Sequence, residues 1–166
     1  MFTRRNILRA AISFSSIAAV GESSFRAVGS AQAALSDRVN HTDAQWHELL
    51  TPAQYDVLRK DATEEPFTSP LLHESHYGIF SCAGCSLPLF SSRSKFDSGT
   101  GWPSFWAPLK NAVSTKTDTS LNAERTAVMC RRCQGHLGHV FNDGPKPTGL
   151  RYCMNGVALK FKRGVA

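Results

Sequence analysis

Five cysteines in a chain of 166 residues divide into two pairs and a single residue. Cys82-Ala83-Gly84-Cys85 and Cys130-Arg131-Arg132-Cys133 share the C-x-x-C spacing at which two thiolates from one tight turn reach the same zinc ion. Two such turns complete a tetrahedron, so the expected cofactor is one structural Zn2+ held by Cys82, Cys85, Cys130 and Cys133. Four thiolates leave no open position for a substrate. The 44 residues between the pairs exceed the spacing of a simple zinc ribbon, so the ion would join two distant hairpins, and closing a long loop adds stability. Disulfides, or a thioredoxin-like redox pair, are the alternatives that the spacing leaves open.

Cys153 has no such partner. It sits in Leu150-Arg151-Tyr152-Cys153-Met154-Asn155, where Arg151 favours a thiolate electrostatically. A buried, inert thiol is the competing reading, because free cysteine is among the most buried residue types. Two other segments suit a pocket. Phe96 to Trp106 sets two glycines among aromatic residues able to wall an apolar site, Trp102 among them. Gly135-His136-Leu137-Gly138-His139-Val140-Phe141 carries two histidines three apart before a turn. A catalytic zinc on His136 and His139 would lack an obvious third ligand.

These residues need elements to hold them. Thr42-Asp43-Ala44-Gln45 and Thr51-Pro52-Ala53-Gln54 both fit the Thr-x-x-Gln capping box, and each predicts a short helix with an apolar face from Trp46, Leu49 and Leu50 or from Tyr55, Val57 and Leu58. From Tyr77 the chain reads as strands: Tyr77–Phe80, Ala127–Met129, His139–Phe141 and Leu150–Tyr152 are short apolar runs between turn residues. Val157, Leu159 and Phe161 alternate with Ala158, Lys160 and Lys162, the period of a half-buried strand. The expected fold is mainly β, a small helical prelude on an antiparallel domain over residues 42–166.

Residues 1–33 read as an address. Arg4-Arg5 and Arg9 precede a mildly apolar run from Ala10 to Val20, and Ala31-Gln32-Ala33 offers a cleavage site. The arrangement resembles a twin-arginine export signal, which implies a periplasmic or secreted protein that folds, and takes up any metal, before export. Residues 34–41 read as a linker. The net charge is +6, of which the leader carries +3. So mild a balance without a cationic run argues against a dedicated nucleic-acid binder, and no stretch approaches the roughly 20 apolar residues of a membrane span.

The order Cys82-x-x-Cys85, Lys95-Phe96-Asp97-Ser98-Gly99-Thr100-Gly101-Trp102-Pro103-Ser104-Phe105, Cys130-x-x-Cys133, Gly135-His136-Leu137-Gly138-His139-Val140-Phe141 and Arg151-Tyr152-Cys153-Met154-Asn155 resembles the B-type methionine-R-sulfoxide reductases over roughly residues 43–163. The resemblance implies two antiparallel sheets, with the four-cysteine zinc site opposite the active site. It also implies reduction of the R epimer of methionine sulfoxide in proteins. Cys153 is then the nucleophile and His139 the acid, with Asn155 assisting. His136 and Arg151 orient substrate, and Trp102 packs on its methyl group. Many members carry a resolving cysteine where this chain has Thr100, so an outside thiol, from a thioredoxin-like protein or a small molecule, is the expected reductant. A monomer is expected. Two other readings stand beside this one: a sulfoxide-binding protein without efficient turnover, and a zinc module that faces phosphate with Arg131 and Arg132.

Overall fold

The structure, a computed structural model, describes residues 37–121 and 123–164. The export-type leader and the start of the expected linker lie outside the described residues. The linker's far end is tied down: Val39 N–H donates to Arg132 O at 3.0 Å, and Asp37 pairs with both Arg131 and Arg132.

Both helices start as their capping boxes dictate. In α1 (Asp43–Leu49) the Thr42 hydroxyl accepts from Gln45 N–H, while Gln45 Oε1 accepts from Thr42 N–H at 2.8 Å. In α2 (Pro52–Lys60) Thr51 and Gln54 repeat the exchange, and Pro52 takes the first turn, where its missing N–H costs nothing. Trp46, Tyr55, Val57 and Leu58 are the faces that these helices bury in the core.

Apart from 3-10 turns at Ser92–Ser94 and Gly156–Ala158, the remaining elements are strands, all antiparallel where they pair. They are β1 (Gly78–Cys82), β2 (Pro88–Ser91), β3 (Lys95–Phe96), β4 (Ser104–Phe105), β5 (Val113–Leu121), β6 (Ala123–Cys130), β7 (His136–Phe141), β8 (Arg151–Met154) and β9 (Leu159–Arg163). One sheet has the order β2-β1-β9 and the other β3-β4-β8-β7-β6-β5. Phe80 and Phe90 from the first meet Phe105 of the second, with ring centroids 5.0 and 4.4 Å away. Such aromatic pairs add about 0.5–1.5 kcal/mol beyond their area burial. The mainly β, two-sheet fold is the one expected.

Two local readings differ. Val157 belongs to a 3-10 turn at Gly156–Ala158, so the alternation of β9 begins only at Leu159. No apolar pattern marks β5, whose residues Val113-Ser114-Thr115-Lys116-Thr117-Asp118-Thr119-Ser120-Leu121 are mostly polar because it is an edge strand with much of its length in solvent.

Two features of β7 set up the site. Its register with β6 slips between Val128 and Met129, which face Gly138 and His136 and leave Leu137 as an extra residue. Strict alternation would send residues three apart to opposite faces; the bulge restores one face for both histidines, and their ring centroids stand 5.2 Å apart. On its other edge β7 meets β8, with His139 opposite Cys153. Gly138 makes that approach possible, since a Cβ there would lie 2.1 Å from Cys153 O.

Candidate active site and metal cluster

The two C-x-x-C turns fold alike. Cys82 O accepts from Ser86 N–H and Cys130 O from Gln134 N–H, both at 2.9 Å, and Ser86 and Gln134 both take left-handed φ values, 59° and 57°. Cys82 N–H then donates to Leu87 O and Cys130 N–H to Gly135 O. The turns bring all four sulfurs within 4.8 Å of one another, with Cys82 3.6 Å from Cys133 and Cys85 3.5 Å from Cys130. Those separations are far from the ~2.05 Å of a disulfide and near the ~3.8 Å edge of a tetrahedron with metal–sulfur bonds of about 2.3 Å. The donor set therefore fits a four-coordinate zinc. Mutual hydrogen bonding pushes the Cys82 and Cys133 thiols up and holds Cys85 and Cys130 down, so four negative sulfurs here need a cation among them.

α2 backs the cluster. Leu58 packs on Gly84 and Gly135, and a Cβ on Gly135 would stand 2.9 Å from Leu58 Cδ2. Arg59 donates to Cys133 O at 3.1 Å. Arg131 and Arg132, besides pairing with Asp37, reach Asn111 O and Cys85 O. Their donors are turned to the protein, which removes the phosphate-facing arrangement that the zinc-module reading needs.

Cys153 lies apart from this cluster. Its cross-strand neighbour His139 pairs in turn with Ala127, three residues along β6 from Cys130, or about 10 Å at the rise of a strand. Partly exposed, Cys153 opens on a cavity of about 120 Å³ lined by Thr63, Trp102, Arg125, Gly138, His139, Phe141 and Asn155. That volume lies well below the roughly 300–1,000 Å³ of sites for drug-sized ligands, so it suits the end of one side chain.

Trp102, Asn155 and Phe141 are fixed by contacts from elsewhere in the chain. Trp102 Nε1 donates to Glu64 O at 2.9 Å. Asn155 Oδ1 accepts from Glu64 N–H at 2.9 Å, and its Nδ2 donates to Leu137 O at 3.1 Å. Glu64 Oε2 in turn accepts from Gly156 N–H. Arg151 makes a two-pronged pair with Asp143, at 2.9 and 2.7 Å, and lies 4.3 Å over the Phe141 ring. Asp143 first, and the sulfur of Cys153 further down, hold the Arg151 guanidinium above its ordinary value. Thr100 Oγ1 stands 3.6 Å from Cys153 Sγ and continues through Ser98 at 2.8 Å to Ser104 at 2.7 Å, a file of hydroxyls ending on the sulfur.

His136 and His139 share a face but not a cavity. His136 is 2% exposed, and neither ring nitrogen has a partner. It borders a separate hollow with Lys60, Lys116 and Asp118. Burial pushes its pKa down to about 4, so it is neutral near pH 7. The sequence reading thus named Trp102, His139, Cys153 and Asn155 from the cavity wall, Arg151 just behind it and His136 beyond His139. It missed Thr63, Arg125 and Phe141 as lining residues and Glu64 as the buckle. A Thr63-Glu64 pair carries no pattern of its own, but Phe141 closes the quoted histidine segment and was legible there.

The SelR domain family matches residues 50–163. "Peptide methionine sulfoxide reductase MsrB" of Agrobacterium fabrum is 51% identical over 128 residues, which cover 76% of this chain and 95% of that protein. The proteins of the same name from Leptospira interrogans and Thiobacillus denitrificans are 52% identical over 126 residues and 54% over 121; they cover 75% and 72% of this chain and 96% and 92% of their own lengths. Every residue lining the Cys153 cavity falls within the span that the family matches, and with relatives this similar along nearly their whole length the chain belongs to the SelR family of peptide methionine sulfoxide reductases.

Proposed function

We propose that this chain reduces methionine-R-sulfoxide in proteins, with Cys153 as nucleophile. The observation that carries the reading is the placement of the one cysteine outside the four-sulfur cluster: it is partly exposed in a small cavity, with Trp102 on the wall and His139 directly across the strand pair. A sulfoxide sulfur becomes electrophilic when its oxygen is protonated or hydrogen-bonded, so the site needs a thiolate and an acid. Cys153 supplies the first and His139 the second. Trp102 and Phe141 receive the methyl group, and fixed places for methyl and oxygen select one epimer.

In the reaction the oxygen passes from the methionine sulfur to Cys153. The methionine sulfur gains two electrons, the cysteine sulfur loses two, and a sulfenic acid remains. Thr100 cannot attack it, and Cys82, Cys85, Cys130 and Cys133 are held in their own cluster. A first outside thiol displaces water to form a mixed disulfide with Cys153. A second outside thiol releases the free cysteine as a disulfide forms between the two donors. Zinc on the four thiolates would supply structural stability rather than chemistry. The leader-like residues 1–33 support a further part of the proposal, repair of exported proteins in the periplasm or outside the cell.

The test is turnover of peptide methionine-R-sulfoxide and its S epimer by residues 34–166 with excess dithiothreitol. Repeated turnover of the R epimer alone, abolished in Cys153→Ser, is the expected result. One equivalent of product and no more would favour the sulfoxide-binding reading. Failure of a reporter to leave the cytoplasm when fused to residues 1–33 would remove the export part.

A further inference from the structure

His139 touches a carboxylate that lies outside every motif read in the sequence. Asp118, 21 residues earlier on β5, places Oδ2 at 2.7 Å from His139 Nε2, and the two side chains are only 15% and 12% exposed. The same oxygen accepts from Arg125 Nη2 at 2.7 Å, and Oδ1 accepts from Ser120 N–H at 2.9 Å. Arg125 sits directly opposite Asp118 in the register of β5 with β6, and that register becomes irregular between Asp118 and Leu121. Arg125 also lines the Cys153 cavity, so the hairpin reaches the site by two side chains.

We propose that Asp118 is a positioning residue for His139, fixing the orientation of its ring and the place of its proton. The proposal rests on the reading of Cys153 and His139 given above. Ser120 first, and then His139 and Arg125, hold the Asp118 carboxyl well below the usual carboxylate range, so it is ionised wherever the protein works. An ionised carboxylate only accepts hydrogen bonds, so the nitrogen facing it must carry hydrogen. That assigns the proton to Nε2 in the neutral ring and leaves Nδ1 to give and take the proton of the reaction. Without Asp118 the ring is free to turn and to exchange tautomers. Arg125 keeps the carboxylate in place and is itself held by it.

Asp118→Asn preserves shape and removes charge. The expected result is a fall in kcat of roughly 10–100-fold with KM changed less than about twofold, because the substrate's own contacts are untouched. A double-mutant cycle with His139→Gln separates action through the ring from action elsewhere: Asp118→Asn should cost less than about twofold once His139 is gone. An equal loss in both backgrounds overturns the proposal. Nitrogen-15 chemical shifts of the His139 ring give a readout independent of turnover. Near pH 8 the folded wild-type chain should show one neutral tautomer with the proton on Nε2, and Asp118→Asn a mixture. The same tautomer in both proteins also overturns it. If the wild-type chain shows no sulfoxide turnover, the functional reading fails, while the ring measurement still decides whether Asp118 fixes the imidazole.

Discussion

The four-sulfur cluster and the Cys153 cavity use the same element of chemistry in opposite ways. Each half of the cluster is one turn long, and the two halves copy each other hydrogen bond for hydrogen bond. The cavity repeats nothing. It gathers residues from the segment after α2, the loop before β4, and strands β6, β7 and β8, with Asn155 just past the end of β8. The cluster buries three of its four cysteines and turns all four sulfurs on one another; the cavity leaves one sulfur partly open, with a hydroxyl file on one side and an arginine nearby. A thiol committed to a metal is stabilised by symmetry and closure, whereas a working thiol needs unlike groups on each side of it.

The sharpest way to break the comparison is to exchange serine for sulfur at each place. Cys153→Ser should abolish turnover, a loss of 10³-fold or more on the order expected for a missing nucleophile, while the melting temperature moves little. Cys130→Ser should do the reverse. It is expected to lower the metal content and cost about 4 kcal/mol or more, roughly 15 °C in a domain of this size, because the binding free energy of a metal at this cluster would be folding free energy. Metal content by mass spectrometry and a thermal melt on the two proteins check both. Full stability in metal-free Cys130→Ser would mean that the cluster is not the staple its geometry indicates.

Chelation is the milder form of the same experiment. Stripping the metal at neutral pH should lower the melting temperature of the wild-type chain and leave the four thiols reactive to a thiol reagent, while Cys153 reacts both before and after. If all five thiols react before chelation, the cluster holds no metal under those conditions.

Thr100→Cys sharpens the difference from the other side, by giving the working thiol a partner. Thr100 Oγ1 is already 3.6 Å from Cys153 Sγ, so a sulfur there reaches the sulfenic acid with little movement. One turnover of this variant should leave an intramolecular disulfide, seen as the loss of two free thiols, where the parent chain forms no disulfide and loses one thiol to the sulfenic acid. Dependence on the concentration of small thiols should weaken. Unchanged dependence would show that attack on the sulfenic acid is blocked by something other than the absence of a sulfur.

What could be read from the sequence follows from how local each feature is. The capping boxes and the metal turns are complete within four or five residues, so spacing alone revealed them, and the structure keeps Thr42 with Gln45, Thr51 with Gln54 and Cys82 beside Cys130. The strands bearing His139 and Cys153 were legible as apolar runs. β5 was not, since an edge strand in solvent has no need of apolar alternation. Glu64 and Asp118 were invisible for a deeper reason. Their partners lie 91 and 21 residues away, Asn155 and His139, and nothing around a single carboxylate tells which distant group it will meet. The bulge that brings His136 to the face of His139 was likewise hidden, because a spacing of three in a strand points to opposite faces until one residue is extra.

His136 gives the smallest effect, and it separates burial from chemistry. Its pKa is lowered by burial from an ordinary 6.5 to about 4, so the unfolded chain binds a proton more readily than the folded one. Stability from this residue is complete above about pH 6.5 and is lost progressively as the pH falls toward 4, by at most roughly 3 kcal/mol. His136→Gln removes the titration but keeps a polar side chain. Its melting temperature should therefore fall less than that of the wild type between pH 6.5 and 4.5, after each is referred to its own value at pH 7.5. Loss of metal by thiolate protonation acts on both proteins alike and cancels in the difference. Parallel curves would show that water in the adjoining hollow already solvates the charged ring, and that the acid limit of the fold is set by groups other than His136.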